Sequence, residues 1–155
     1  MPISGEVVGI YIAPSAALSM TALSTARLVV GVGLEGDRYA ARIGTFSQVP
    51  GSGRAVTLIE IEALEALQRD YQVELDPALS RRNIVTRGIP LNHLVEREFL
   101  IGGAVLRGTR LCEPCAHLER LTANGSMRGL IHRGGLRANI IEGGTINLGD
   151  TLSAR

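Results

Sequence analysis

Phe99-Leu100-Ile101-Gly102-Gly103-Ala104-Val105-Leu106-Arg107-Gly108-Thr109-Arg110-Leu111 is the stretch whose reading decides the fold. Two apolar runs meet at a Gly-Gly pair, which is a β-hairpin signal. The same pattern recurs on both sides. Downstream, Leu136 to Glu142 and Thr145 to Leu148 flank Gly143-Gly144 and predict a closing hairpin, with Gly149-Asp150 as a last turn. Upstream, Val7 to Ala13 reads as a strand stopped by Pro14, Arg27 to Val32 as a second, Ala55 to Ile59 as a third apolar run and Asn83 to Thr86 as a short strand. The 19 glycines punctuate these runs and do not cluster into a linker, so a curled sheet or barrel is expected.

One segment changes period. Ile61, Leu64, Leu67 and Tyr71 recur at helical spacing, with Glu62, Glu65 and Arg69 on the other face. Thr57 followed by Glu60 predicts a capping box at its start. Cys115 to Leu121 and Met127 to His132 are candidate short helices, and Thr45 to Gly53 is read as a loop. Without repeat, low-complexity tract or composition break, the 155 residues read as one domain. The class is mainly β (α+β by content), a β-barrel with a few short helices.

Composition excludes several functions. Aromatic residues make up 3% with no Trp, so the core must be aliphatic and a stacking platform for bases is not expected. A formal charge of +1 gives no global attraction to nucleic acid or membrane. All 16 basic residues are Arg. Without a lysine there is no covalently bound pyridoxal phosphate. Two cysteines are too few for a secreted disulfide scaffold, the first residues lack a basic stretch ahead of a short apolar run, and no apolar run spans a membrane. The expected compartment is the cytoplasm.

The chemistry is expected at Cys112-Glu113-Pro114-Cys115. Three readings stand for this CxxC: buried structural cysteines, half of a zinc site completed by His117 and His132, or a reactive or ligating thiolate at Cys115. If Cys115 opens a short helix, the free N–H groups there lower its pKa. Arginine forks suited to anions lie at Arg54, at Arg81-Arg82 ahead of Asn83, and at Arg133 and Arg137 around Gly134-Gly135. Gly33 to Arg38 can offer backbone N–H groups to an anion but lacks a P-loop or dinucleotide spacing, and Asp37 reads as a turn residue bonding backbone amides. Glu60, Glu62 and Glu65 read as an exposed helix face.

Taken together these segments resemble the MOSC domain, named for the C-terminal domain of molybdenum cofactor sulfurase. Gly33-Leu34-Glu35-Gly36-Asp37-Arg38-Tyr39 resembles the family's G-x-x-GD-x-H segment, with Tyr39 where a His is frequent. Arg54 to Ile59 resembles the next block, and Arg82 to Ile89 the R-x-N-I-x-T-x-G-I block. Leu100 to Leu106 resembles the hairpin before the family cysteine, Pro114-Cys115 that cysteine, and Gly135 to Ile141 with Gly149-Asp150 the closing segment.

The resemblance implies a MOSC-type β-barrel that binds molybdenum cofactor (molybdopterin) or handles sulfur for it. It implies Cys115 as metal ligand and catalytic residue, with Asp37, Arg38, Arg54, Arg82, Asn83, Arg137 and Asn139 as cofactor contacts. In active relatives the reaction is reduction of small N-hydroxylated substrates. Electrons would then come from a separate donor protein, since no flavin, haem or iron–sulfur motif is present. The alternatives are a persulfide carrier, fed by a sulfur donor, for the cofactor or for metal–sulfur cluster maturation, and a non-catalytic cofactor-binding barrel. No nucleic-acid or membrane partner is expected; a homo-oligomer is left open. The loop from Gly44 to Gly53, with Arg42 and Gln48, is expected to edge the mouth.

Overall fold

The computed structural model describes residues 3–13, 20–37, 56–112 and 133–155. In chain order the strands are β1 (Ser4–Ile12), β2 (Thr21–Leu23), β3 (Thr25–Val29), β4 (Gly33–Leu34), β5 (Val56–Glu60), β6 (Ile84–Arg87), β7 (Glu98–Ile101), β8 (Ala104–Leu111), β9 (Leu136–Glu142), β10 (Gly144–Asn147) and β11 (Thr151–Ala154). The helix α1 (Ile61–Tyr71) joins β5 to β6. Short 3-10 turns occupy Pro77–Ser80 and Leu91–Leu94.

The main sheet runs β11-β7-β8-β9-β5-β6-β1, and a further β11–β1 pairing closes these seven strands into a barrel. Closure leaves no open edge along that ring. It depends on β1, which serves several neighbours. Its first residues, Ser4 to Glu6, pair with β11, while Ile10 to Ile12 pair with β2. A register shift between Val7 and Gly9 against β6 bends the strand between these two tasks, as bulges do. A second, three-stranded sheet, β10-β3-β4, sits beside the barrel.

The interior is aliphatic, as the composition requires. Val56 and Leu58, Leu136, Ala138 and Ile140, Leu106 and Phe99 belong to one buried cluster, each strand contributing alternate residues. Phe99 is wholly buried and among the largest of these side chains. The opposite face of β5 and β6 is also apolar. Ile59 and Val85 pack against Ala63, Leu64 and Leu67 of α1. Strands covered on both faces suit parallel pairing, and β5 and β6 are indeed parallel, with α1 as their crossover.

The β7–β8 hairpin around Gly102 forms as expected. Other expectations are corrected. No capping box exists: Thr57 lies within β5, and α1 starts at Ile61 with Glu60 as N-cap and no side-chain cap. The segment Arg27 to Val32 is a strand only to Val29, because Val32 N bonds back to Val29 O in a turn. The segments around Gly143-Gly144 do not form a hairpin. β9 pairs with β8 and β5, whereas β10 pairs with β3 in the other sheet. Gly143 passes so close to Leu28 O that an added Cβ would meet it at 2.6 Å, so the chain crosses between sheets there.

Candidate functional site

Arg137 lies within a polar row that crosses β8, β9 and β5 and reaches the residue before β6. In β9 it stands opposite Thr57 of β5 on one side and Arg110 of β8 on the other. Its carbonyl accepts from Thr109 Oγ1 at 3.0 Å, which fixes the backbone. Its Nη1 is fully buried and has no hydrogen-bond partner among the described residues. A buried guanidinium donor left unpaired is costly, so a carbonyl, carboxylate or phosphate oxygen is the natural complement. Asn139, two residues on along the same strand, is partly buried opposite Arg107.

Thr57 continues the row to Asn83. The Asn83 Oδ1 accepts from Thr57 N and from Thr57 Oγ1, each at 3.2 Å, and the same hydroxyl accepts from Asn83 N at 3.1 Å. The Asn83 Nδ2 donates to Tyr11 O at 3.1 Å, and Tyr11 N returns a bond to Asn83 O at 2.7 Å. The amide expected as a cofactor contact therefore ties β1, β5 and the start of β6 together. Two residues beyond Tyr11, Ala13 N donates to Asp37 Oδ1 at 2.9 Å, and Asp37 is wholly buried. Asp37 does bond a backbone amide, and the one described is distant in sequence.

Arg82 is buried beside Asn83. Its Nε donates to Gly134 O at 2.7 Å and its Nη2 to Cys112 O at 3.3 Å. Cys112 N in turn donates to Gly135 O at 2.7 Å. Gly135 has φ +111, and an added Cβ would run into Leu58 O, so only glycine allows β9 to start this close to β5. Cys112 itself is a free, buried thiol. Beside Arg82, Arg81 is also buried and adopts φ +64, a conformation that no sequence signal announces for an arginine.

Structure thus brings Arg82, Asn83 and Arg137 together with Thr57, Arg110 and Thr109, which sequence reasoning had not assigned to the site. Cys115, Arg38 and Arg54 lie outside the described residues, as do Tyr39, Arg42, Gln48, Pro114, His117 and His132, the loop from Gly44 to Gly53 and both candidate short helices after Cys112. Among the described residues no group of three or more His, Cys, Asp or Glu gathers as a metal site. No helix among them is long and apolar enough to cross a membrane.

The carboxylates of the β5–α1 corner are not a free helix face. Glu60 Oε2 accepts from Leu91 N at 3.2 Å and Glu62 Oε2 from Gly88 N at 2.7 Å, while Glu62 Oε1 is buried without a partner among the described residues. Only Glu65 is exposed, near Arg87 at 3.5 Å. Burial pushes the Glu60 carboxyl above its ordinary range; the Leu91 amide opposes this, Glu62 adds to it, and Arg133 and His93 oppose it. The folded state then holds a proton that the unfolded chain has already released. Stability must therefore fall as pH rises from the ordinary glutamate range through the raised value. Glu60→Gln keeps an acceptor for Leu91 and cannot ionise. Its stability relative to the parent should rise across that window and level off above it. Urea titrations at pH 4 and pH 7.5 giving the same difference would exclude a raised Glu60.

A family model described as the MOSC domain matches residues 34–153. No curated protein sequence matches. Among solved structures, the YuaD protein of Bacillus subtilis superposes with a TM-score of 0.83 at 17% identity, covering 99% of this chain and 97% of that one. YiiM from Escherichia coli gives 0.71 at 18% identity over 99% and 70%. YiiM from Geobacillus stearothermophilus gives 0.65 at 13% identity over 97% and 73%. At such identities the likeness carries the fold alone.

Proposed function

The chain belongs to the MOSC domain family, and from that premise we propose that it binds molybdenum cofactor, with Cys115 as the thiolate ligand of the metal and Arg137 as a grip on the anionic part of the pterin. The observation that carries the reading is the buried Nη1 of Arg137, without a hydrogen-bond partner among the described residues. The donor chemistry fits the group: molybdenum favours soft sulfur, and the cofactor's phosphate and carbonyl oxygens favour a guanidinium.

Each residue then has a separate task. Cys115 must be deprotonated to ligate, so its thiol gives up a proton on loading. Arg137 offers Nη1 from a strand whose carbonyl Thr109 already holds. Asn139 and Arg54 complete the polar contacts. Asp37 holds the Ala13 amide, and Asn83 holds β1 against β5, so both keep the surroundings of the site in register. When bound, the cofactor supplies two-electron oxygen-atom chemistry, which serves the reduction of small N-hydroxylated compounds with electrons from a partner protein.

Protein purified from cofactor-competent cells should contain molybdenum, and its oxidised extract should show pterin fluorescence. Arg137→Ala removes one charge-assisted hydrogen bond, worth about 1.5–3 kcal/mol, so affinity for the cofactor should drop roughly 10- to 150-fold. Metal content and fluorescence equal to the parent's would return Arg137 to a purely structural role. Loaded protein without turnover on any hydroxylamine or amidoxime would leave the sulfur carrier as the better account.

A further inference from the structure

Two arginines face each other across β8 and β9. Arg110 stands directly opposite Arg137 in the antiparallel register, so both side chains leave the same face of the pair. That face is the outer one, because Leu136 and Ala138, on either side of Arg137, belong to the buried cluster. Arg110 reaches it only through an irregularity. Gly108 pairs with Ala138 and Arg110 with Arg137, which leaves Thr109 as an extra residue in β8, a bulge. In a regular strand Arg107 and Arg110 would point to opposite faces. With the bulge, Arg107, opposite Asn139, shares the outer face with Arg110, and both arginines are exposed. The bulge is held from two sides. Thr109 Oγ1 donates to Arg137 O at 3.0 Å, and Gly108 passes so close to Leu94 O that an added Cβ would run into it.

Like charges directly opposite in a sheet repel. Arg107, Arg110 and Arg137 have no ion pair among the described residues. Glu98, across from Arg107 in β7, pairs instead with Arg155 at 3.2 Å. The buried Nη1 of Arg137 also has no hydrogen-bond partner among the described residues. A bulge that turns a second guanidinium towards this one is costly unless an anion lies between them. Two forks around one anion suit a group with several oxygens and a double charge, such as a phosphate monoester.

We propose that Arg110 and Arg137 form a two-arginine clamp for a phosphate dianion, into which the Thr109 bulge turns Arg110. The clamp deepens the reading of Arg137 as an anion grip, and rests on that reading for the source of the anion, the phosphate of the cofactor. A phosphate borne by a substrate offers the same chemistry.

The test uses cofactor-free protein and inorganic phosphate at low ionic strength, followed by calorimetry and by the thermal unfolding midpoint. The parent should bind phosphate at one saturable site, and phosphate should raise its midpoint. Arg110→Gln removes one charged fork and should weaken this binding at least about tenfold. Without phosphate its midpoint should match or exceed the parent's, because the repulsion between the strands is gone. Arg107→Gln makes the same charge change further along the same face and should weaken binding less than about threefold. Both replaced side chains are exposed, so neither change disturbs the core. A parent without saturable phosphate binding would overturn the clamp. So would equal losses in Arg107→Gln and Arg110→Gln, which describe a diffuse basic face. The source is read from the pterin content of Arg110→Gln protein purified from cofactor-competent cells. A drop that parallels the loss of phosphate binding supports the cofactor's phosphate, whereas parental content with phosphate binding lost keeps the clamp and assigns it to a substrate's phosphate. An Arg110-dependent phosphate site in a parent that holds no cofactor would uphold the clamp and count against the proposed function alone.

Discussion

Cys115→Ser protein from cofactor-competent cells is expected to carry background molybdenum only, while Cys112→Ser retains most of the parental metal. A serine hydroxyl is a hard, protonated donor at neutral pH, whereas the metal calls for a soft thiolate. Loss of the ligand itself should exceed the ~10- to 100-fold loss that follows removal of a supporting group behind a ligand. Cys112 occupies a different situation. It is buried, its amide is held by Gly135 O, and its carbonyl is held by Arg82. Its side chain therefore acts as a small apolar filler at the end of β8, and Cys112→Ser should cost about 1–2 kcal/mol of stability through a buried hydroxyl, not the metal. Inductively coupled plasma analysis of both variants checks this. Equal metal loss in the two would point to a two-cysteine centre and remove Cys115 from its assigned role.

What could be read from the sequence follows a physical line. Elements whose signal is local were legible. The Gly102-Gly103 pair between apolar runs specified the β7–β8 hairpin, and helical spacing specified α1. Its buried face nevertheless turned toward Ala63, Leu64, Ala66 and Leu67, leaving Tyr71 exposed. Elements defined by partners elsewhere in the chain were not legible. Thr151 to Ala154 buries little apart from Leu152, yet this strand closes the barrel because β1 and β7 flank it. Gly143-Gly144 carried a turn signal that the tertiary fold used for a change of sheet. The run Val56 to Ile59, buried throughout, did hold a clue to its parallel neighbour, since a strand covered on both faces loses its polar alternation.

The site divides in the same way. Motif resemblance named Cys115, Arg82, Asn83 and Arg137, but it assigned them by residue type. An arginine or asparagine beside a strand suggests a ligand contact, and only the topology shows which donors are already spent. Arg82 commits Nε and Nη2 to Gly134 and Cys112, and Asn83 commits its backbone N–H and Nδ2 to Thr57 and Tyr11. Arg137 keeps Nη1 unpartnered among the described residues. Nothing in the sequence separates these three cases, because the difference lies in bonds that span 26 to 72 positions.

Asn83→Ala is accordingly expected to be the most destabilising single change in this region, at about 3–5 kcal/mol. The alanine removes the acceptor of the Thr57 amide and hydroxyl and the donor to Tyr11 O. Each buried group left without a partner costs roughly 1–3 kcal/mol, and water has little access, since Asn83 and Thr57 are 1% and 2% exposed. Such a loss is a large part of the ~5–15 kcal/mol that holds a domain of this size. The Thr57→Val change tests the same lock from the other side: it keeps the shape, deletes the hydroxyl that bonds Asn83 twice, and should cost about half as much. Because both changes touch one network, the double variant should be less destabilised than the sum of the two. Urea denaturation of cofactor-free protein, with the midpoint lowered and the slope unchanged, reads these quantities directly. An Asn83→Ala protein within 0.5 kcal/mol of the parent, but unable to hold the cofactor, would mean that the amide serves the ligand and that the lock between β1, β5 and β6 contributes little.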